Sequence, residues 1–151
     1  MNPWPVLVGA MLLPMAACVA KSDPHSAYIG KQVMVGVALV DHKGSLVKRV
    51  QAHGVIKAIE NDAGIVLSLS DPAKPFLLPP VLASLRTVPP GTYRERSTGE
   101  VVSNPDYATV WQAEADDDQA SGSLDWTRGM TWSRPLDFDF PGDNWAVERE
   151  N

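Results

Sequence analysis

Cysteine is nearly missing from this chain: Cys18 stands alone among 151 residues. No disulfide can therefore form within it, and no thiolate-rich metal site is available. Histidine is almost as scarce, with His25, His42 and His53, and none has a second ligand at zinc-like spacing. Asp116-Asp117-Asp118 lacks the spaced ligands and closing Glu of a calcium loop. No metal site and no cofactor is expected. No Gly-Lys-Ser/Thr element follows Gly91-Thr92-Tyr93, which removes a phosphate-cradling loop, and no serine sits in a nucleophile elbow. No catalytic residue is assigned, and the chain is expected not to be an enzyme.

An excess of positive charge is also lacking. The net charge is −5, and it is unevenly spread. Residues 19–112 hold ten Lys and Arg against eight Asp and Glu, whereas residues 113–151 hold three Arg against ten Asp and Glu. The acidity belongs to the C-terminal part. A near-neutral remainder argues against a nucleic-acid footprint, which needs clustered Lys and Arg.

The N-terminal residues are informative about location. Val6 to Met15 is an apolar run too short for the ~20 residues of a spanning helix. It is followed by Met15-Ala16-Ala17-Cys18, an order that resembles a bacterial lipoprotein signal. Residues 1–17 would be a removed signal peptide, Cys18 would carry lipid, and residues 18–28 would be a tether. Val19 after Cys18 fits an outer-membrane destination facing the periplasm. No Lys or Arg precedes the apolar run, which leaves two alternatives open. Cleavage after Ala20 would release a soluble exported protein, and an uncleaved apolar tail would leave a cytoplasmic one.

Between residues 29 and 112 the pattern is that of strands. Val33, Val35, Val37 and Leu39 alternate with Met34, Gly36, Ala38 and Val40, the period of a β-strand. Asp41 to Ser45 forms a turn in which Asp41 caps its own backbone. A long strand follows from Leu46 to Glu60, with a bulge or bend predicted at Gly54. Asn61 to Gly64 turns into Ile65, Leu67 and Leu69; Phe76-Leu77-Leu78 is a short strand stopped by Pro79-Pro80. Val81 to Arg86 holds one helical turn, Tyr93 to Val102 a hairpin turning at Ser97-Thr98-Gly99, and Tyr107 to Gln112 a last strand. A first strand, a bent second strand and two short strands before a helical turn predict an all-β fold. The expected form is a small SH3-like, partly open barrel of five or more strands.

Residues 113–151 are expected to be an acidic, mostly disordered tail, solvated at Asp116 to Asp118 and around Ser121. This tail nevertheless carries Trp126, Trp132 and Trp145 with Phe138 and Phe140, which suit either loose folding over the barrel or a partner-binding arm.

From Ile29 to Trp111 the chain resembles a family of small, uncharacterised bacterial proteins. The shared features are Ile29-Gly30-Lys31 with Val33 and Val35-Gly36, His53-Gly54 and Leu78-Pro79-Pro80. To these are added Gly91-x-Tyr93-Arg94-x-Arg96-Ser97-Thr98-Gly99-Glu100-Val101-Val102, then Pro105-Asp106-Tyr107 and Trp111. The resemblance covers a little over half of the chain and implies no activity.

The candidate binding residues are His53, Tyr93, Arg94, Arg96 and Glu100 on the barrel rim, with Trp126 and Trp132 on the tail. Arg94 and Arg96 share one strand face and could grip a carboxylate or phosphate, or pair with Glu residues across the hairpin. The leading expectation is a lipid-anchored envelope protein that binds a protein or peptide partner, an inhibitor or immunity-type protein being a narrower form of it. The alternative is a cytoplasmic Sm-like or SH3-like nucleic-acid binder. A third reading, an enzyme, requires a carboxylate partner for His53 that the sequence does not reveal.

Overall fold

The computed structural model describes residues 24–69, 75–115 and 130–148. The expectations placed on residues 1–23, lipidation of Cys18 among them, lie outside these residues, as does Trp126.

The organising element is β1 (Gln32–Val40). Val33, Val35, Val37 and Leu39 are fully buried on one of its faces, against Ile56, Ile65, Leu67, Phe76 and Leu78. Met34 is buried on the opposite face, against Tyr93, Val102, Val110 and Trp145. A strand apolar on both faces belongs between two layers, and β1 lies inside its sheet.

β2 (Leu46–Glu60) pairs antiparallel with β1 across the Asp41–Ser45 turn, where Asp41 Oδ1 accepts hydrogen bonds from the backbone N–H of Lys43 and Ser45, each at 2.9 Å. β3 (Gly64–Ser68) pairs with β2, and β4 (Pro75–Leu78) with β3. A 3₁₀ turn at Leu82–Ser84 leads to β5 (Arg86–Thr87). The succession of a first strand, a long second strand, two short strands and a helical turn is the one expected of an SH3-like barrel. β6 (Thr92–Glu95) and β7 (Val101–Ser103) form the expected hairpin. β8 (Tyr107–Ala115) runs parallel beside β1 and also pairs with β5. The sheet β4-β3-β2-β1-β8-β5 curls into an open half-barrel, so the fold is all-β.

Two expectations are corrected. Of the bulge or bend expected at Gly54, the bulge is absent: its pairing with Val33 is regular, and the register slips later, between Ile56 and Ala58 on the β3 side. Its glycine is required by close approach, because a Cβ there would stand 2.6 Å from the Ser68 carbonyl oxygen. The second correction concerns the tail. Residues 130–148 are ordered parts of the fold: β9 (Met130–Pro135) pairs with β8, and β10 (Trp145–Val147) pairs with β6 in a second sheet, β10-β6-β7. The physical reason is aromatic burial. Trp145 is fully buried with Phe138 and Phe140 against it, and Trp132 packs edge-on to Trp111 and Phe76 with ring centroids 5.8 and 5.9 Å away. Burying such rings outweighs the acidic residues between them, which remain at the surface.

Candidate functional site

The two sheets meet along a polar seam. On one side is the face of β2 that carries Gln51 and His53; on the other are the β6–β7 hairpin and the residues before β10. Alternation along β6 turns Tyr93 and Glu95 inward and Arg94 outward. Glu95 is thereby fully buried, and a buried carboxylate persists only when it is hydrogen-bonded and compensated.

Both of its oxygens are engaged. Oε1 lies 2.7 Å from His53 Nδ1, and Oε2 accepts a hydrogen bond from Thr98 Oγ1 at 2.6 Å. The turn that brings Thr98 there is closed by Glu95 N–H to the Glu100 carbonyl and Gly99 N–H to the Glu95 carbonyl, both 2.9 Å. Gly99 permits this turn with φ +76°. Thr98 Oγ1 also accepts from the Glu100 N–H at 3.1 Å, and a Glu100 carboxylate oxygen stands 3.6 Å from His53 Nδ1. The Glu95 hydrogen bond raises the His53 pKa above the usual imidazole range. Burial opposes this, while the negative charges of Glu95 and Glu100 add to it.

Beside this cluster, Gln51 exchanges hydrogen bonds with Ser97: its backbone N–H donates to Ser97 Oγ at 2.9 Å, and its Oε1 accepts from the Ser97 N–H at 2.7 Å. Gln51 Nε2 donates to Asn144 Oδ1 at 3.3 Å, and Arg96 N–H donates to the Asn144 carbonyl at 3.2 Å. Asn144 sits directly over Gly36, where a Cβ would come within 2.9 Å of its side chain. Gly36, Gln51, Ser97 and Asn144 are thus one joint between the sheets.

Of the sequence-derived candidates, His53 and Glu100 are brought together. Arg94 and Arg96 both face outward, as alternation requires, but Arg94 is taken: Nε pairs with Glu148 and Nη1 donates to the Gly99 carbonyl at 2.7 Å. Tyr93 is no rim contact. It is buried, its hydroxyl donates to the Pro89 carbonyl at 2.7 Å, and burial pushes its phenol pKa up. Trp132 serves the core and is not displayed on a free arm.

Sequence reasoning missed Glu95, Gln51 and Asn144. The signal for Glu95 was present, since any alternation that turns Arg94 and Arg96 outward turns Glu95 inward. The carboxylate that an enzyme reading required beside His53 is Glu95. Of the hairpin hydroxyls, Thr98 donates to Glu95 and Ser97 accepts from Gln51. His53 therefore has an orienting carboxylate partner in Glu95. Away from the seam, a cleft of about 520 Å³ runs between the 3₁₀ turn and residues 134–137; Arg86, which lines it, is paired with Asp137. No known protein family, characterised protein or solved structure matches the chain.

Proposed function

We propose that the protein is a non-enzymatic lipoprotein of the bacterial cell envelope, held in the outer membrane by lipid on Cys18. Its small barrel binds an extended segment of a protein or peptide partner. The observation that carries the binding part is the state of the outer strands. β4 ends the larger sheet, while β7 and β10 end the smaller one. Each shows an apolar side chain to solvent: Leu77 is 43% exposed, Val101 45% and Val147 53%. Outer strands offer unpaired backbone groups, and apolar residues beside them give an added strand something to bury.

Nucleic acid is a poorer fit. Arg86 and Arg94 are already paired with Asp137 and Glu148, and phosphate binding requires free clustered cations. Catalysis is a poorer fit as well, because the Thr98 hydroxyl beside His53 is spent in a hydrogen bond to Glu95.

Anchoring is tested by intact mass and membrane fractionation of wild type and Cys18→Ser. The expected wild-type species lacks residues 1–17, carries lipid mass and sediments with membranes, and the lipid mass vanishes in the variant. A full-length, soluble protein would overturn the envelope reading. Binding is tested separately with a photo-crosslinking residue at Leu77, Val101 or Val147, against the exposed turn residue Asp62 as control. Capture of one discrete partner at an edge position and not at Asp62 is expected; equal capture at all four would overturn edge recognition.

A further inference from the structure

We propose that His53, Glu95 and Glu100 form a binding site for a divalent transition-metal ion of the zinc class. The inference stands apart from the envelope reading, since it rests on the seam and not on the N-terminus or the strand edges.

His53 offers one donor to two carboxylates. Two carboxylates converge on one imidazole nitrogen: Glu95 at 2.7 Å and Glu100 at 3.6 Å from Nδ1. One N–H can satisfy one of them, and Glu95 takes it. Glu100 is left beyond hydrogen-bond reach of the group it faces. An excess of acidic over basic side chains is thus gathered around a single imidazole, one of the acidic groups being fully buried. Arg94, the neighbouring base on β6, is turned toward Glu148 and Gly99 and does not relieve it. A single divalent cation would satisfy all three groups at once.

The geometry suits one. The three ligand atoms, one nitrogen and two oxygens, lie within 4.8 Å of one another. Zinc bonds to imidazole nitrogen and carboxylate oxygen at about 2.0–2.2 Å, so donors sharing an ion stand roughly 3–3.5 Å apart. The observed separations of 2.7 and 3.6 Å from Nδ1 bracket that spacing, and an ion bound there would replace the His53–Glu95 hydrogen bond and draw the two carboxylates around itself. The supporting contacts also match: Thr98 Oγ1 fixes the far oxygen of Glu95, as outer contacts orient metal-binding carboxylates. The side chain of Glu100 is 53% exposed and that of His53 20% exposed, which leaves an entry path and room for water at the remaining positions. A set with one imidazole favours zinc over magnesium or calcium, which prefer oxygen alone.

The test uses the full chain freed of metal with chelator, titrated with Zn²⁺ alone and, in parallel, Mg²⁺ alone. Heat of binding, thermal midpoint and the ¹⁵N shift of the His53 ring are followed in wild type and Glu100→Gln. Glu100 is half-exposed, and this substitution leaves the His53–Glu95 contact in place, so the variant should fold. One Zn²⁺ per chain is expected, with a raised midpoint and a moved His53 Nδ1 resonance, and Glu100→Gln should weaken binding by about tenfold or more. Mg²⁺ should do neither. Absence of zinc binding, an unmoved His53 resonance, equal binding by Glu100→Gln or an equal response to Mg²⁺ would each overturn the proposal. The first two would make the cluster a structural latch, and the third would place zinc elsewhere on the acidic chain.

Discussion

The apolar cluster on the Val33 face of β1 draws mainly on β1 to β4, which follow one another in the chain and pair in that order. The cluster on the Met34 face is assembled from Tyr93, Val102, Ala108 and Trp145, and its sheet joins β10 to β6 across some fifty residues of sequence. The first is closed chiefly by apolar side chains. The second is closed by an aromatic plug and by the polar seam of His53, Glu95, Gln51 and Asn144. Local pairing forms cheaply because little chain entropy is lost in closing short loops. The second sheet depends on a few specific contacts of long range, so single substitutions should affect it unequally.

The largest expected effect is therefore at Trp145. Trp145→Ala should lower stability by about 3–5 kcal/mol, the usual result of emptying an aromatic site in a core. Hydrogen exchange should show β6, β7 and β10 losing protection well before β1 to β3. Trp145→Phe should cost far less, because the indole N–H has no hydrogen-bond partner among the described residues. Equal loss of protection in both sheets would show that the clusters unfold as one. Next in size is Glu95→Ala, which strands His53 Nδ1 and Thr98 Oγ1 together. A loss of about 2–3 kcal/mol in chemical denaturation is expected, again confined to the second sheet at low denaturant.

This contrast also explains what could be read from the sequence. The extent of β2, Leu46 to Glu60, was legible because its ends are marked by turn residues, Asp41 to Ser45 and Asn61 to Gly64. The turn at Asp41 was legible because Asp supplies its own cap. β9 and β10 were not, since Asp137, Asp139 and Asp143 give the segment the composition of a solvated tail. Only the tertiary placement of Trp132 and Trp145 reveals what the rings are for. At the site, His53 stood out beside Gly54, and Glu100 as the end of the charged string that begins at Arg94. Glu95 was concealed between two arginines, and its role follows from a contact with a strand 42 residues away in sequence.

A smaller effect concerns pH, in chelator-treated protein. The folded-state pKa of His53 is raised, chiefly by its hydrogen bond to Glu95. A raised imidazole value means that its stabilising contribution is fully present below about 6.5, the unfolded value. The contribution is lost as pH rises through the higher folded value. Glu95 and Glu100 are the charged groups that face it from the hairpin, and Met34 is its uncharged partner on β1. The stability difference between wild type and His53→Ala, from denaturation at a series of pH values, should therefore be widest on the acid side of 6.5 and shrink above it. A difference that grows with pH would mean that the pair does not stabilise the charged ring.

The smallest effect sharpens the comparison most. Arg94 and Glu148 pair across β6 and the end of β10, with side chains 47% and 33% exposed. This contact spans the same two strands as Trp145, so it is the obvious electrostatic rival for what holds β10 in place. Exposed ion pairs contribute about 0–1 kcal/mol, because water screens them and two long side chains lose freedom. Arg94 also donates to the Gly99 carbonyl, so Arg94→Ala alone would mix two losses. A double-mutant cycle with Glu148→Gln isolates the pair. Its coupling should fall below about 1 kcal/mol and shrink further in salt. A coupling that approached the cost of Trp145→Ala would mean that charge, and not aromatic burial, fastens the second sheet.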